Sequence, residues 1–240
     1  MTIWLRSLLF NVVLYAWCAV VVLMLWALIP FPRRTIRAVT RLWMRSVHWL
    51  LEVTVGLVHE VRGRENLPPG PVIFACKHQS AWDTTIFHCL VEAPAYVLKK
   101  ELLAIPLYGW YLKRVKMISI DREAGPAALR SMLRQAAEAL GMGRSVVIFP
   151  EGTRVAPGER LPYHPGVAAL YSLTEAAVVP VAVNSGLFWG RRSFLKRPGV
   201  IVLEMLPPMP RGMDRRTFMA ELERRIEEAS ARLAAEAGSP

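Results

Sequence analysis

Cysteine is scarce in this sequence: Cys18, Cys76 and Cys89 are all there are. An odd number, in apolar surroundings and without metal-ligand spacing, predicts reduced, buried thiols and excludes a disulfide framework. Acidic side chains are also few, 19 against 30 Lys and Arg, for a formal net charge of +11. No G-x-S-x-G stretch occurs, which removes the nucleophile elbow of a serine hydrolase. The basic excess comes without a nucleic-acid motif, and no His has a partner at metal-ligand spacing, so neither nucleic acid nor metal is expected. There is no internal repeat and no low-complexity segment.

What the chain has in quantity is apolar sequence, 53% of its 240 residues. The excess is concentrated early. From Leu8 to Ile29, "LLFNVVLYAWCAVVVLMLWALI", Asn11 is the only strongly polar side chain. As a helix this run would be roughly 33 Å long, enough to cross the hydrocarbon core of a bilayer. It is too long for a signal peptide, and Pro30-Phe31-Pro32-Arg33-Arg34 stands where a small-residue cleavage site would be. A retained membrane anchor is the expectation, either spanning the bilayer or dipping into one leaflet as half of a hairpin. After the prolines, Arg33, Arg37, Arg41 and Arg45 recur every four residues, a basic stripe on a second helix that would lie on the bilayer with Trp43 and Trp49 at the interface. Seven Arg against two Glu in residues 30–64 predict that this side is cytoplasmic, at the inner membrane if the source is bacterial. Membrane lipids are therefore the expected neighbours. The domain division expected is an anchor over 1–58 and a catalytic domain over 59–240.

Beyond the turn-rich "GRENLPPGP" the pattern changes to short apolar runs separated by helical ones. "PVIFAC" (71–76), "AYVL" (95–98), "KMISI" (116–120), "SVVIF" (145–149), "AVVPVAVN" (177–184) and "GVIVLEM" (199–205) predict buried strands. Helices are predicted over 80–91, after Gly125-Pro126 with Leu129, Met132, Leu133, Ala136 and Leu140 on one face, and over 214–237 with Phe218, Leu222, Ile226, Ala229 and Leu233 as the seam. This alternation argues for an α/β fold, a mainly parallel or mixed sheet flanked by helices, preceded by the helical membrane anchor.

Three constellations could carry chemistry. In "CKHQSAWDTT", four residues separate His78 from Asp83. With five His and three Asp in the chain, chance would produce that spacing about six times in a hundred, so the spacing alone is a moderate signal. On one continuous helix the two side chains would diverge by about 140°. His78 must then sit in the loop before the helix and Asp83 in its first turn, where the carboxylate fixes the imidazole tautomer and makes it a base. In "SVVIFPEGTR" a strand ends in Glu151-Gly152-Thr153-Arg154: a close backbone approach, a hydroxyl and a guanidinium able to hold phosphate. In "KMISIDR", Asp121 and Arg122 end a third strand. His48, His59, His88 and His164 carry no chemistry on this reading.

Together "KHQSAWDT", "SIDR", "FPEGTR" and "VVPVAV" resemble the four ordered motifs of the glycerolipid acyltransferase superfamily, and most nearly its lysophosphatidic acid acyltransferases. The resemblance covers residues 60–205 and extends to "VLKKELLAIPLYGWYLK" between the first two motifs. It implies a glycerol-3-phosphate acyltransferase-like fold and transfer of a fatty acyl chain from an acyl thioester to the sn-2 hydroxyl of lysophosphatidic acid, giving phosphatidic acid. His78 would be the general base, Asp83 its partner. Arg122, Glu151, Gly152, Thr153 and Arg154 would hold the glycerol phosphate, with Lys100 adding positive charge. Pro180 would help shape the acyl-donor site. The family implies no cofactor, only acyl carrier protein or coenzyme A as the thioester co-substrate. One position departs: many members have Asn before the histidine, and here Lys77 stands, a cation that would bear on the His78 charge or meet the phosphate. Another lysolipid acceptor, such as lyso-ornithine lipid, and a non-catalytic lipid-binding protein remain the alternatives.

Overall fold

The computed structural model describes residues 2–28, 30–121 and 124–238. Seven strands form one sheet: β1 (Leu57–Arg62), β2 (Ile73–Cys76), β3 (Ala95–Lys99), β4 (Ile118–Ile120), β5 (Val146–Ile148), β6 (Val178–Val183) and β7 (Gly199–Met205). Their spatial order is β1-β7-β6-β2-β5-β3-β4. Neighbours are parallel except β6 and β7, so β1 and β7 run against the other five. The sheet is thus mixed and mainly parallel, as the apolar runs predict.

Strand pleating sorts the core into two layers. Phe74 and Cys76 of β2 point to one face, Ile73 and Ala75 to the other, and all four are buried. Because both faces are covered, β2 reads as unbroken apolar sequence. On the first face lie α1 (Ile3–Ala27), α2 (Arg33–Leu50) and α3 (Trp82–Leu90). On the second lie α5 (Gly125–Gly141), α6 (Gly166–Leu173) and α7 (Arg215–Gly238), with the predicted α7 seam from Phe218 to Leu233 inside. The short α4 (Tyr108–Arg114) packs with Ile36 of α2. Pro180 is tolerated in interior strand β6 because pairing with β7 begins only at Val181, and its carbonyl takes the Leu206 N–H at 2.9 Å beyond that ladder.

Three expectations need correction. β1 was not anticipated: its residues, His59 among them, fall in none of the predicted strands. Cys76 is buried, but Cys18 and Cys89 are only partly so, although all three are free. Pro180 is buried within β6 and does not itself line the cavity described below.

The first two helices are pinned to the domain at both ends. Near the start, the Ser7 hydroxyl accepts the Lys196 N–H at 2.9 Å and the Asn11 amide donates to the Phe194 carbonyl at 3.1 Å. At the far turn, the Arg114 guanidinium donates to the Phe31 carbonyl at 3.1 Å. Between these ends α1 exposes Trp4, Val12, Tyr15, Leu23 and Trp26, and α2 exposes Leu42 and Trp49. α2 docks through Ile36, Met44, Val47 and His48.

His48 makes that docking pH-dependent. Its Nε2 lies 2.7 Å from the Thr85 hydroxyl, its ring stacks on Trp82, and His59 faces it at 5.0 Å. Burial, with His59 adding to it, holds its pKa down at about 3 from 6.5. The unfolded chain therefore binds a proton near pH 6.5 that the folded chain refuses until near pH 3. The His48 contribution to stability is complete above pH 6.5 and falls by about 1.4 kcal/mol per pH unit between there and about pH 3. Thermal melts at pH 7.5 and 5 should show a smaller acid-induced drop in Tm for His48→Gln than for wild type; equal drops would place the titrating group elsewhere.

Candidate active site

The C-terminal ends of β2, β5 and β6 converge on one spot, and each delivers a polar segment there. β2 ends at Cys76; residues 77–81 are irregular, and α3 starts at Trp82, whose N–H is accepted by the Ser80 hydroxyl at 3.2 Å. This is the loop-then-helix arrangement that the five-residue step demands. His78 Nδ1 lies 3.0 Å from Asp83 Oδ2. The same oxygen accepts the N–H groups of Gln79 at 2.7 Å and Ser80 at 2.8 Å. Asp83 Oδ1 accepts the Ser185 hydroxyl at 2.5 Å. Both Asp83 and Ser185 are fully buried. The His78 ring lies flat on Phe149, centroids 3.9 Å apart. With Nδ1 engaged, Nε2 is the ring nitrogen left to the cavity that His78 lines.

That cavity has a volume of about 1040 Å³. Its wall is largely apolar and runs from Leu14 of α1 and Met44 of α2, past His78, to Leu98, Tyr111 and Leu112. Gly152, Thr153 and Arg154 line it, joined by Arg191 and Arg192 of a late loop. Gly152 has φ 64° and its N–H closes a tight turn onto the Phe149 carbonyl at 2.9 Å, a conformation that favours glycine. The loop after β6 is sutured to the first motif: the Gly186 N–H donates to the Gln79 side-chain oxygen at 3.0 Å, and a Cβ at Gly186 would stand 2.8 Å from Pro157.

Other predicted residues are placed differently. Glu151 does not line the cavity. Its carboxylate is buried, takes the His78 N–H at 2.9 Å and lies 2.6 Å from the Lys77 ammonium. Burial pushes its carboxyl up, opposed by Lys77 and by the His78 N–H. Lys77 is likewise buried and meets carboxylates, where the sequence suggested the imidazole or a phosphate. Lys100 pairs with Asp121 at 2.8 Å with most of its side chain in solvent, while its neighbour Lys99 lines the cavity. Arg122 lies outside the described residues. No group of three or more His, Cys, Asp or Glu suited to a metal occurs among the described residues. Sequence reasoning missed Ser185, which sits 102 positions from Asp83 and carries no motif of its own, and the pair Arg191 and Arg192 as cavity residues.

Comparison with known proteins gives one answer. A family profile described as Acyltransferase matches residues 58–184. A 1-acyl-sn-glycerol-3-phosphate acyltransferase of Pseudomonas aeruginosa is 38% identical over 200 residues, covering 83% of this chain and 77% of that protein. A lyso-ornithine lipid O-acyltransferase of the same organism is 29% identical, covering 75% and 74%. Among solved structures, the 1-acyl-sn-glycerophosphate acyltransferase PlsC of Thermotoga maritima superposes with a TM-score of 0.70 over 100% of this chain and 99% of its own, at 24% identity, a likeness of fold.

The Ser185 hydroxyl supports a buried carboxylate, and a hydrogen bond to a charged group contributes about 1.5–3 kcal/mol. Ser185→Ala should therefore lower denaturant-unfolding stability by about that amount, while Ser185→Thr, which keeps the hydroxyl, should lose less. Equal losses in the two variants would mean that packing, and not the hydrogen bond, matters at this position.

Proposed function

The chain belongs to the acyltransferase family, and on that premise we propose that it transfers a fatty acyl chain from an acyl thioester to the sn-2 hydroxyl of lysophosphatidic acid. The observation that carries this reading is the His78–Asp83 pair at 3.0 Å, beside a largely apolar cavity of about 1040 Å³ that His78, Arg154, Arg191 and Arg192 all line. An alkyl chain fits the apolar stretch, and a phosphate fits the guanidinium groups.

The chemistry follows from the geometry. The acceptor hydroxyl hydrogen-bonds to His78 Nε2 and attacks the thioester carbonyl as its proton moves to that nitrogen. Asp83 stabilises the imidazolium that forms and keeps Nδ1–H pointed inward. The tetrahedral intermediate collapses, the carbon–sulfur bond breaks, and the thiolate leaves with the proton that His78 returns. No acyl-enzyme forms. Thr153 and Arg154 hold the glycerol phosphate, and Lys99 offers a cation nearer the cavity than Lys100 does. Glu151 serves this site through the His78 backbone, not through the phosphate.

The membrane side of the proposal also rests on geometry. α1 is long and apolar enough to cross a bilayer, with 17% of its most apolar stretch buried. Yet α1, 25 residues and about 37 Å long, is hydrogen-bonded to the domain through Ser7 and Asn11, and the connector beyond it is held at Phe31. That tethering supports a helix that lies along the domain. α1 and α2 then enter a single leaflet by their exposed apolar faces, and the chain delivers Leu14 and Met44 to the cavity wall at the bilayer's edge.

Detergent-purified protein should acylate lysophosphatidic acid with an acyl-carrier-protein donor, a coenzyme A donor or both, and His78→Ala should lower the rate at least about a hundredfold. Arg154→Ala should raise KM for lysophosphatidic acid about tenfold with less effect on kcat. Acylation of lyso-ornithine lipid but not of lysophosphatidic acid would overturn the acceptor proposed. Product that survives His78→Ala would overturn the base.

A further inference from the structure

Lys77 stands directly before His78 in the first motif, and the structure gives it an unusual setting. Its N–H extends the β2–β6 ladder by one step, to the Val181 carbonyl at 2.9 Å. Side chains alternate along extended backbone, so Lys77 points away from the cavity that His78 faces. Its ammonium, 1% exposed, lies 2.6 Å from Glu151 Oε1 and 2.7 Å from Glu227 Oε1. Glu227 comes from α7, far beyond the four motifs. It also accepts the Tyr163 hydroxyl at 2.9 Å, and Arg160 approaches its other oxygen at 3.9 Å. Glu151 completes the line by taking the His78 N–H at 2.9 Å.

We propose that Glu227 and Lys77 are positioning residues for His78, with the C-terminal helix steadying the base through the buried line Glu227–Lys77–Glu151–His78. Two carboxylates around one ammonium are a poor device for stability, because each buried ion costs several kcal/mol of lost hydration and well-packed apolar side chains would do as well. What such a group supplies is direction. An ammonium shared between two fixed carboxylates has one place to sit, and Glu151, held from that side, can present its second oxygen to the His78 N–H at one angle only. The Nδ1 contact with Asp83 at 3.0 Å depends on where that backbone stands. A positioning role predicts loss of turnover with binding kept, since neither Lys77 nor Glu227 lines the cavity.

The inference rests on His78 being the base of the proposed acyl transfer, and its test has an arm that needs no substrate. Two variants of the full chain are compared with wild type: Glu227→Gln, which keeps an acceptor but loses the charge, and Glu227→Met combined with Tyr163→Phe, which removes the α7 arm and leaves Lys77 paired one-to-one with Glu151. Thermal unfolding, kcat and KM, and the low-field proton NMR signal of the His78 Nδ1–H are measured for each. Glu227→Gln should lower kcat about fivefold, and the double variant about thirtyfold, with KM for both substrates within about twofold. The His78 signal should shift or broaden in substrate-free protein. Wild-type kcat together with an unmoved signal, in either variant that folds, overturns the proposal. A moved signal in a protein with no acyl-transfer activity even as wild type would sustain the positioning role and overturn the reaction instead.

Discussion

Asp83 collects four hydrogen bonds on two oxygens in a place closed to water, and the rest of the site follows from meeting that demand. A carboxylate without partners there would cost several kcal/mol, so its donors have to be supplied by the chain itself. Two come from the backbone of the loop that carries His78, which bends that loop around the carboxylate. A third is the imidazole, and its orientation is thereby set before any ligand arrives. The fourth, from Ser185, requires β6 to end beside β2, which the sheet order provides. Asp83 also stands in the first turn of α3, where the helix dipole favours negative charge. Fold and site meet in that one side chain: a helix start, two strand ends and a base all depend on it.

Both faces of the sheet contribute to the cavity. The face bearing α1, α2 and α3 supplies apolar side chains from the exposed outer helices to the wall that His78 shares. The opposite face bears α5, α6 and α7, and its α5 adds Ala128, Leu129 and Met132 to that wall. Its α7 buries Phe218 against Tyr171, rings stacked 4.0 Å apart, and sends Glu227 through to the back of the first motif. The loop that carries His78 is thereby held between the layer of the outer helices and the packed layer of α7.

How much of this is legible in the sequence depends on how local the signal is. β2 and β5 are apolar on both faces, and the α7 seam repeats at helical spacing, so periodicity finds them. β1 escapes because "LVHEVR" at a sheet edge buries only Leu57 fully and looks like a link. α4 escapes because it has only seven residues and is entered through Leu107 at φ 63°. α6, "GVAALYSL", follows two prolines and is too short to show a full period. The His78–Asp83 contact is readable because both partners lie within six residues. Ser185 on Asp83, and Glu227 on Lys77, are contacts across 102 and 150 positions, and nothing local marks either residue. Lys99 against Lys100 is a subtler case: Lys99 ends β3 and lines the cavity, Lys100 opens a 3-10 turn, and charge alone does not distinguish the two.

The same geometry bears on why the reaction proposed here needs no covalent intermediate. A base beside a nucleophilic side chain would favour an acyl-enzyme, and Ser185, Ser80 and Cys76 are three side chains of that kind close to the His78–Asp83 pair in space or sequence. Ser185 already donates its hydroxyl proton to Asp83 and is fully buried. Ser80 is buried and its oxygen accepts the Trp82 N–H. Cys76 points from β2 into the core, and burial, reinforced by the negative charges of Asp83 and Glu151, pushes its thiol well above the ordinary range, which suppresses the thiolate. Each is committed to structure or denied its reactive form, while the one open imidazole nitrogen faces a cavity large enough for a lipid. That setting agrees with the proposed path, in which the hydroxyl comes from the ligand and attacks the thioester directly.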